Sequence, residues 1–240
     1  MKIALLISGG GTTMEAIIKA CQNGVLAGVT PALVIASIGS AGGIPKARNL
    51  GIKEEDILIL SPKSFENSEK FGDAIINECR KRNVDFIGQY GWMVKTPENV
   101  CEEFKGRIVN QHPGPLDPGG NGDFGGAGMY GVRVHEARLQ FVRKTNREFF
   151  TEATCHRVTA NFDEGKIVKR IQVEILPEDT AESLQARVLP VEHQVQIQAL
   201  QDFVNNTVTE FEREVPLVLP GEESILDECK KNAIIKYTKS

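Results

Sequence analysis

The first half of the chain alternates short apolar runs with stretches in which apolar residues recur every three or four positions. Short apolar runs indicate strands buried on both faces, and the longer period indicates helices with one buried face. We therefore predict strands at Ile3–Ile7, Ala32–Ile38, Asp56–Leu60, Val84–Gly88 and Arg107–Asn110. The intervening helical patterns lie at residues 14–21, Gly42–Leu50 and Phe65–Arg82.

The pattern changes after the fifth strand. Residues 113–128 are rich in Gly, Pro, Asp and Asn and have no period, which predicts a long functional loop. We interpret residues 119–128 as a lid that orders when ligands bind. Helices are predicted at Val132–Phe141, Asp179–Val204 and Glu222–Tyr237, and strands at Thr151–Val158 and Lys166–Ile175. Pro190 is expected to kink the long helix or split it in two.

Strands that alternate with helices predict the α/β class. We expect a doubly wound, mostly parallel, Rossmann-like sheet with a C-terminal helical extension. The absence of a clear linker predicts one domain over residues 1–240. Within it we distinguish an N-terminal lobe (1–100), a second lobe (101–206) and the extension (207–240).

Composition and charge narrow the class of protein. Apolar residues make up 41% and charged residues 25%, as in globular proteins. A net charge of −4 argues against a broad nucleic-acid interface. Five widely spaced cysteines, without a zinc-binding pattern, predict reduced thiols in a cytoplasmic protein. No segment has the character of a signal peptide or a membrane span, so we expect small-molecule partners and neither nucleic acid nor membrane.

Two polar side chains close the fifth strand. Asn110 and His112 are two residues apart, so in an extended chain they point the same way. Asn can hold a carbonyl oxygen, and His exchanges a proton near neutral pH. A nearby carboxylate would orient His112 and raise its pKa, and Asp163 is the candidate. The trio suits acyl transfer to an amine, although an ordinary loop-end histidine bonded to backbone is the alternative interpretation.

Other segments allow both a functional and a structural interpretation. The turn Gly9–Thr13 joins a strand to a helix, where backbone amides attract phosphate, but it also fits a tight turn with a threonine N-cap. Gly91–Met93 is either a flat apolar wall for an aromatic ligand or ordinary core. His135 is interpreted as a helix-surface residue, and His156 as a satisfied strand residue.

The order of these parts resembles the formyltransferase family that uses 10-formyltetrahydrofolate, most closely its branch that acts on glycinamide ribonucleotide. The matching segments are Ile7–Thr12, Gly91–Met93, Asn110–Pro113, the strand that holds His156, the turn at Asp163, and Arg187–His193. The resemblance runs from about Lys2 to about Val204.

The resemblance implies a role for each matched residue. It makes Asn110, His112 and Asp163 catalytic, with His156 in support. It assigns the acceptor substrate to Gly11, Thr12, Thr13, Gln111, Pro113 and Glu192. It assigns the folate to Trp92, Met93, Val94, Asn161, Phe162 and Asp163. The implied co-substrate is 10-formyltetrahydrofolate, and no metal is implied.

The implied reaction is formyl transfer to the amine of glycinamide ribonucleotide. Asn110 and a protonated His112 would donate hydrogen bonds to the developing oxyanion. Asp163 would keep His112 protonated, and a water would carry the amine proton to the leaving folate nitrogen.

The chain departs from the family pattern around the ligands. Gly-Pro-Leu-Asp-Pro follows Pro113 where the family reads Ser-Leu-Leu-Pro, residues 140–152 form an unusual insertion, and Thr13 and Val94 differ. The acceptor therefore stays open between glycinamide ribonucleotide, an amino sugar nucleotide, another amine and water. A non-catalytic folate- or nucleotide-binding protein is the remaining alternative, and the sequence does not decide between a monomer and a homodimer.

Overall fold

The computed structural model describes residues 1–238. Its strands are β1 (Lys2–Ile7), β2 (Thr30–Ala36), β3 (Ile57–Ile59), β4 (Phe86–Gln89), β5 (Ile108–His112), β6 (Phe150–Arg157) and β7 (Ile167–Glu174). They form one mostly parallel sheet in the order β3-β2-β1-β4-β5-β6-β7. This confirms the predicted α/β class with a C-terminal helical extension.

The helices are α1 (Thr12–Gln22), α2 (Gly43–Asn49), α3 (Ser68–Lys81), α4 (Glu98–Glu103), α5 (Val132–Thr145), α6 (Ala181–Asn205) and α7 (Glu223–Lys236). Two single 3-10 turns lie at Glu54–Asp56 and Pro62–Ser64. Every helix in this described part of the chain is too short or too polar to cross a membrane.

Besides small shifts at the ends of elements, three features differ from the sequence predictions. Helix α4 was not predicted, because six residues are too few to display a helical period. Helix α6 runs through Pro190 without a break, so the predicted split is wrong, while the alternative of a kink stays a prediction. One missing backbone donor does not end a helix with buried neighbours such as Val188 and Val195. Strand β5 continues past Asn110 and includes His112.

The chain divides into two compact units. Unit 1 contains Met1–Gln111, Arg157–Ala160 and Gln196–Val208. Unit 2 contains His112–His156, Asn161–Val195 and a last segment that begins at Thr209. The single domain over residues 1–240 stays a prediction.

Unit 1 is built around the parallel strands β1, β2 and β4. Buried residues of these strands, among them Leu6 and Ile35, pack with Phe71 and Ile75 of α3. The Asn67 side chain accepts a 2.9 Å hydrogen bond from the Lys70 amide, which caps the exposed start of α3. The carboxyl end of β1 leads directly into the glycine turn before α1.

The core of unit 2 joins α5 to the C-terminal extension. Helix α7 buries Leu226, Cys229 and Ala233 in one cluster with Val134 and Phe141 of α5. Phe124, from the loop after β5, lies in the same cluster, with its ring centroid 5.5 Å from that of Phe141. The extension therefore shares a hydrophobic core with the glycine-rich loop.

A buried carboxylate ties the extension to β6. Glu152 is completely buried and forms ion pairs with Arg170 of β7 and Arg213 of the extension. Arg213 Nε also donates a 2.7 Å hydrogen bond to the Leu116 carbonyl, which belongs to the loop after β5. One guanidinium thus neutralises a buried charge and fixes the loop.

We expect Arg213→Met to lower the free energy of unfolding by about 3 kcal/mol, because the charge of Glu152 then stays buried with only part of its compensation. The matched control is Glu212→Gln, which removes only an exposed ion pair with Lys166 and leaves stability nearly unchanged. Chemical denaturation measures both variants, and equal effects would contradict the role given to Glu152.

Candidate active site

Unit 2 brings two histidines to one carboxylate. His112 ends β5, His156 lies near the end of β6, and Asp163 lies in the turn before β7. Asp163 Oδ2 is 3.7 Å from His112 Nδ1, and Asp163 Oδ1 is 3.3 Å from His156 Nε2. Both imidazoles are almost fully buried, each with 2% exposure. Residues far apart in sequence therefore form one charged cluster.

Local backbone features aim these side chains. Asp163 has a φ of +58°, a left-handed conformation that Asp tolerates better than most residues. The β6–β7 pairing shifts register between Cys155 and His156, and such an irregularity redirects the side chain beside it. The Gly126 amide donates a 2.9 Å hydrogen bond to Asp163 Oδ2 and completes the support of the carboxylate.

A backbone carbonyl determines which nitrogen of His112 carries a proton. His112 Nε2 lies 3.1 Å from the Phe124 oxygen. A carbonyl oxygen only accepts hydrogen bonds, so Nε2 must be the donor. A neutral imidazole has one N–H, so neutral His112 presents an unprotonated Nδ1 towards Asp163.

Burial determines the direction in which the pKa of His112 shifts. Burial lowers its pKa, the Asp163 carboxylate raises it, and the nearby His156 lowers it again, so the net pKa lies below the ordinary value. Asp163 acts in the expected direction, but desolvation outweighs it. The net direction is opposite to the sequence expectation, in which the carboxylate kept His112 protonated.

The pKa of Asp163 moves well below its usual range. Burial opposes this shift, but the charge of His112 and the hydrogen bonds from His156 and the Gly126 amide outweigh it. Asp163 is therefore ionised at neutral pH. It is placed to stabilise a positive charge on His112 whenever Nδ1 gains a proton.

The loop segment beside these residues is tightly bound. The Asp123 carboxylate accepts hydrogen bonds from the amides of Asp117 (2.9 Å) and Gly125 (2.8 Å). A Cβ atom on Gly125 would lie 2.7 Å from the Cβ of Asp163, so only glycine allows this approach. That residues 119–128 act as a lid stays a prediction.

The other residues matched to the folate fall in both units. In unit 1, Trp92 is core and stacks on Phe71 with ring centroids 6.3 Å apart, while Val94 packs partly against the same core. Met93 is 53% exposed. In unit 2, Phe162 is 46% exposed, and the side-chain amide of Asn161 donates a hydrogen bond to the Glu164 carboxylate. Trp92 thus matches the ordinary-core interpretation, and Met93 and Phe162 are the apolar side chains open to a ligand.

The residues matched to the acceptor substrate also fall in both units. Gln111 lies on β5, with Pro113 directly after it, and Glu192 is buried on α6 in unit 2. The catalytic candidate Asn110 also lies on β5, two residues before His112. Side chains alternate along a strand, so both point to the same face.

The glycine turn leaves the start of α1 without a side-chain cap. The N-cap residue is Gly11, with a φ of +66°, and a Cβ there would lie 2.7 Å from the Gly43 Cα. The alternative of a threonine N-cap is therefore not found. Thr13 is buried and Thr12 is half-buried. Because no side chain caps the first amides of α1, the turn retains the kind of helix start that attracts anions.

Sequence reasoning missed several members of the site. His135 is fully buried on α5, not on the surface, and burial with the charge of His112 lowers its pKa to about 3. The Phe124 carbonyl and the Gly126 amide are backbone groups, which residue types do not reveal. The glycine-rich composition of residues 113–128 was the available signal. Within residues 1–238, no cluster of three or more metal-binding side chains is formed.

Comparison with known proteins places the chain in a family. The sequence pattern of the formyl transferase family matches residues 1–200. The phosphoribosylglycinamide formyltransferase of Haemophilus influenzae is 33% identical over 194 residues, which cover 81% of this chain and 82% of that protein. The chain belongs to the formyl transferase family. The family predicted from the sequence is confirmed.

Two further relatives extend the comparison. The chloroplastic phosphoribosylglycinamide formyltransferase of Vigna unguiculata is 32% identical over 90% of this chain. The chain spans 65% of the length of that relative. The crystal structure of glycinamide ribonucleotide transformylase 1 from Symbiobacterium toebii aligns with a TM-score of 0.74 and 29% identity, covering 86% of this chain and 88% of that one. The crystal structure shares the fold of this chain over most of its length, and the sequence relatives align with most of the chain.

We expect Gly125→Ala to lower the free energy of unfolding by about 2 kcal/mol, because its methyl group would collide with Asp163 and Leu116. Gly39→Ala is the control, since its Cβ would make an ordinary 3.6 Å contact with Ile59. Thermal and chemical denaturation check both. Retention of full stability by Gly125→Ala would show that the loop does not hold this close approach.

We expect His112 to titrate below the ordinary histidine pKa of about 6.5, because burial disfavours its charged form. Asp163→Asn removes the carboxylate that raises this pKa, so the midpoint should fall further. Exposed Glu164→Gln is the control and should leave the midpoint in place. Nuclear magnetic resonance of the imidazole signals measures the three titrations, and an increase in Asp163→Asn would overturn the electrostatic account.

Proposed function

We propose that this chain transfers a formyl group from 10-formyltetrahydrofolate to the amine of glycinamide ribonucleotide. The observation that carries the proposal is buried His112, with Nε2 on the Phe124 carbonyl and Nδ1 facing the ionised Asp163. This arrangement suits reversible proton transfer, and it occurs in a formyl transferase whose relatives bear the name phosphoribosylglycinamide formyltransferase.

His112 serves as the base and then as the acid. As the amine nitrogen bonds to the formyl carbon, Nδ1 accepts the proton that this nitrogen loses. As the bond from the formyl carbon to the folate nitrogen breaks, Nδ1 returns the same proton to that leaving nitrogen. A lowered pKa fits this role, because the unprotonated form must be present before the attack.

Two neighbours stabilise the charges that develop. Asn110 donates a hydrogen bond to the formyl oxygen while that oxygen carries negative charge. Asp163 compensates the positive charge of His112 between the two proton transfers, and His156 holds Asp163 in place. Protons and charges balance over the two steps without a further reactant.

Binding of the acceptor substrate is assigned to the matched residues of each unit. The uncapped start of α1, with Gly11, Thr12 and Thr13, binds the phosphate of the acceptor. Gln111, Pro113 and Glu192 contact the rest of that substrate.

We assign the folate to the matched residues of each unit: exposed Met93 and its neighbour Val94 in unit 1, and exposed Phe162 and its neighbour Asn161 in unit 2, with apolar surface suited to an aromatic ring. Trp92, the neighbour of Met93 in sequence, is buried in the core of unit 1. The folate supplies the formyl group on a nitrogen that can leave. Both proposed ligands are small molecules, and residence in the cytoplasm stays a prediction.

The test is a turnover assay with purified protein, 10-formyltetrahydrofolate and glycinamide ribonucleotide, in which release of tetrahydrofolate is followed. We expect release only when this acceptor is present. Release without an acceptor would indicate a hydrolase, release with a different amine would change the acceptor, and the absence of release with folate bound would indicate a binding protein.

We expect His112→Ala to lower kcat by about a thousandfold, because it removes the base, while binding of glycinamide ribonucleotide survives. Steady-state kinetics and calorimetric titration measure the two effects. Lys231→Met, an exposed change on α7, is the control with normal turnover. A near-normal rate in His112→Ala would remove His112 from the mechanism.

A further inference from the structure

The C-terminal extension reaches the loop that contacts the candidate active site. Lys230 lies on α7 and is half-buried. Its Nζ donates hydrogen bonds to the backbone carbonyl oxygens of Asp123 (3.1 Å) and Gly125 (2.6 Å). All of these groups belong to unit 2. One ammonium group therefore binds two carbonyls of the loop.

The same short segment contacts both His112 and Asp163. The Phe124 carbonyl lies between the two carbonyls that Lys230 binds, and it accepts the hydrogen bond of His112 Nε2. The Gly126 amide, which follows the Gly125 carbonyl, donates to Asp163. Lys230 and the candidate catalytic pair thus bind consecutive backbone groups of residues 123–126.

We propose that Lys230 is a positioning residue: by holding residues 123–126, it keeps the Phe124 carbonyl on His112 Nε2 and the Gly126 amide on Asp163. The proposal rests on the proposed function for its effect on turnover. Its effect on the imidazole of His112 does not depend on which reaction the protein catalyses.

The loop needs such an anchor because its own sequence resists order. Glycines stand at positions 119, 120, 122, 125, 126 and 128, and glycine loses more conformational freedom on ordering than any other residue. Gly126 also has a φ of +96°. A charged donor shared by two carbonyls is stronger than a neutral hydrogen bond, so Lys230 offsets part of this entropy.

Lys230 lies outside the part of the chain that the family pattern matches. That match ends at residue 200, whereas α7 begins at Glu223. The positioning function is therefore assigned to the extension of this chain.

The experiment compares Lys230→Met with Lys231→Met, a matched change at the exposed neighbouring position. We expect Lys230→Met to lower kcat by about tenfold, the effect of losing charge-assisted hydrogen bonds that orient the base, with little change in KM for the acceptor. Lys231→Met should match the unaltered protein. Lys230→Arg retains donors for both carbonyls and should lie closer to the unaltered protein than Lys230→Met does.

A second readout follows the imidazole itself. We expect the ¹⁵N signals of His112 in Lys230→Met to shift towards a mixture of the two tautomers, because the Phe124 carbonyl no longer selects the Nε2–H form. Lys231→Met should leave these signals unchanged. A merely stabilising lysine would lower the melting temperature without moving them.

The outcomes separate this proposal from the proposed function. Unchanged His112 signals in Lys230→Met overturn the positioning role, whatever the activity. An unaltered protein that releases no tetrahydrofolate with any amine overturns the proposed function, while the signals still test Lys230. If Lys230→Met does not fold, Lys230→Arg provides the test. His112 signals like those of the unaltered protein support the positioning role. Mixed-tautomer signals, although arginine has donors for both carbonyls, overturn it.

Discussion

The largely buried carboxylate of Asp163 is the constraint on which the rest of the site depends. A buried charge is costly unless hydrogen bonds and opposite charges compensate it. Here the Gly126 amide and His156 supply that compensation from the loop and from β6, and His112 at the end of β5 adds to it whenever its imidazole is protonated. Satisfying one group therefore fixes the positions of three segments of unit 2. The chemistry proposed for His112 uses the same interaction, because the carboxylate that organises the segments also balances the charge of a protonated imidazole.

The extension solves a second problem of the same kind. Glu152 is buried on β6, and Arg213 supplies part of its compensation while also binding the Leu116 carbonyl. Lys230 binds the loop further along, at Asp123 and Gly125. Hydrogen bonds from Arg213 and Lys230 of the extension thus hold the glycine-rich loop in place. Within unit 2, the segment after Thr209 is part of the structure that supports the candidate active site.

Residue patterns predicted the fold well and the site in part. Buried parallel strands are continuous apolar runs, so β1, β2, β4 and β5 could be located from those runs. The contacts at Asp163 could not be located from the sequence. They depend on the positive φ of Asp163 itself and on the register shift beside His156. The Phe124 carbonyl leaves no trace in residue identity. His135 shows the opposite failure: its helix was predicted, but its burial was not. The pKa direction of His112 was missed because sequence shows a nearby charge but not the extent of desolvation.

In the proposed reaction, His112 keeps Nε2 on the Phe124 carbonyl and exchanges the amine proton through Nδ1. The most direct measurement is a crystal structure with glycinamide ribonucleotide and an unreactive analogue of the formyl folate. We expect the acceptor amine within hydrogen-bonding distance of His112 Nδ1, with Nε2 still bound to the Phe124 oxygen. A complex in which Nε2 leaves that carbonyl to bind the formyl oxygen, or in which the ligands bind away from His112, would contradict it.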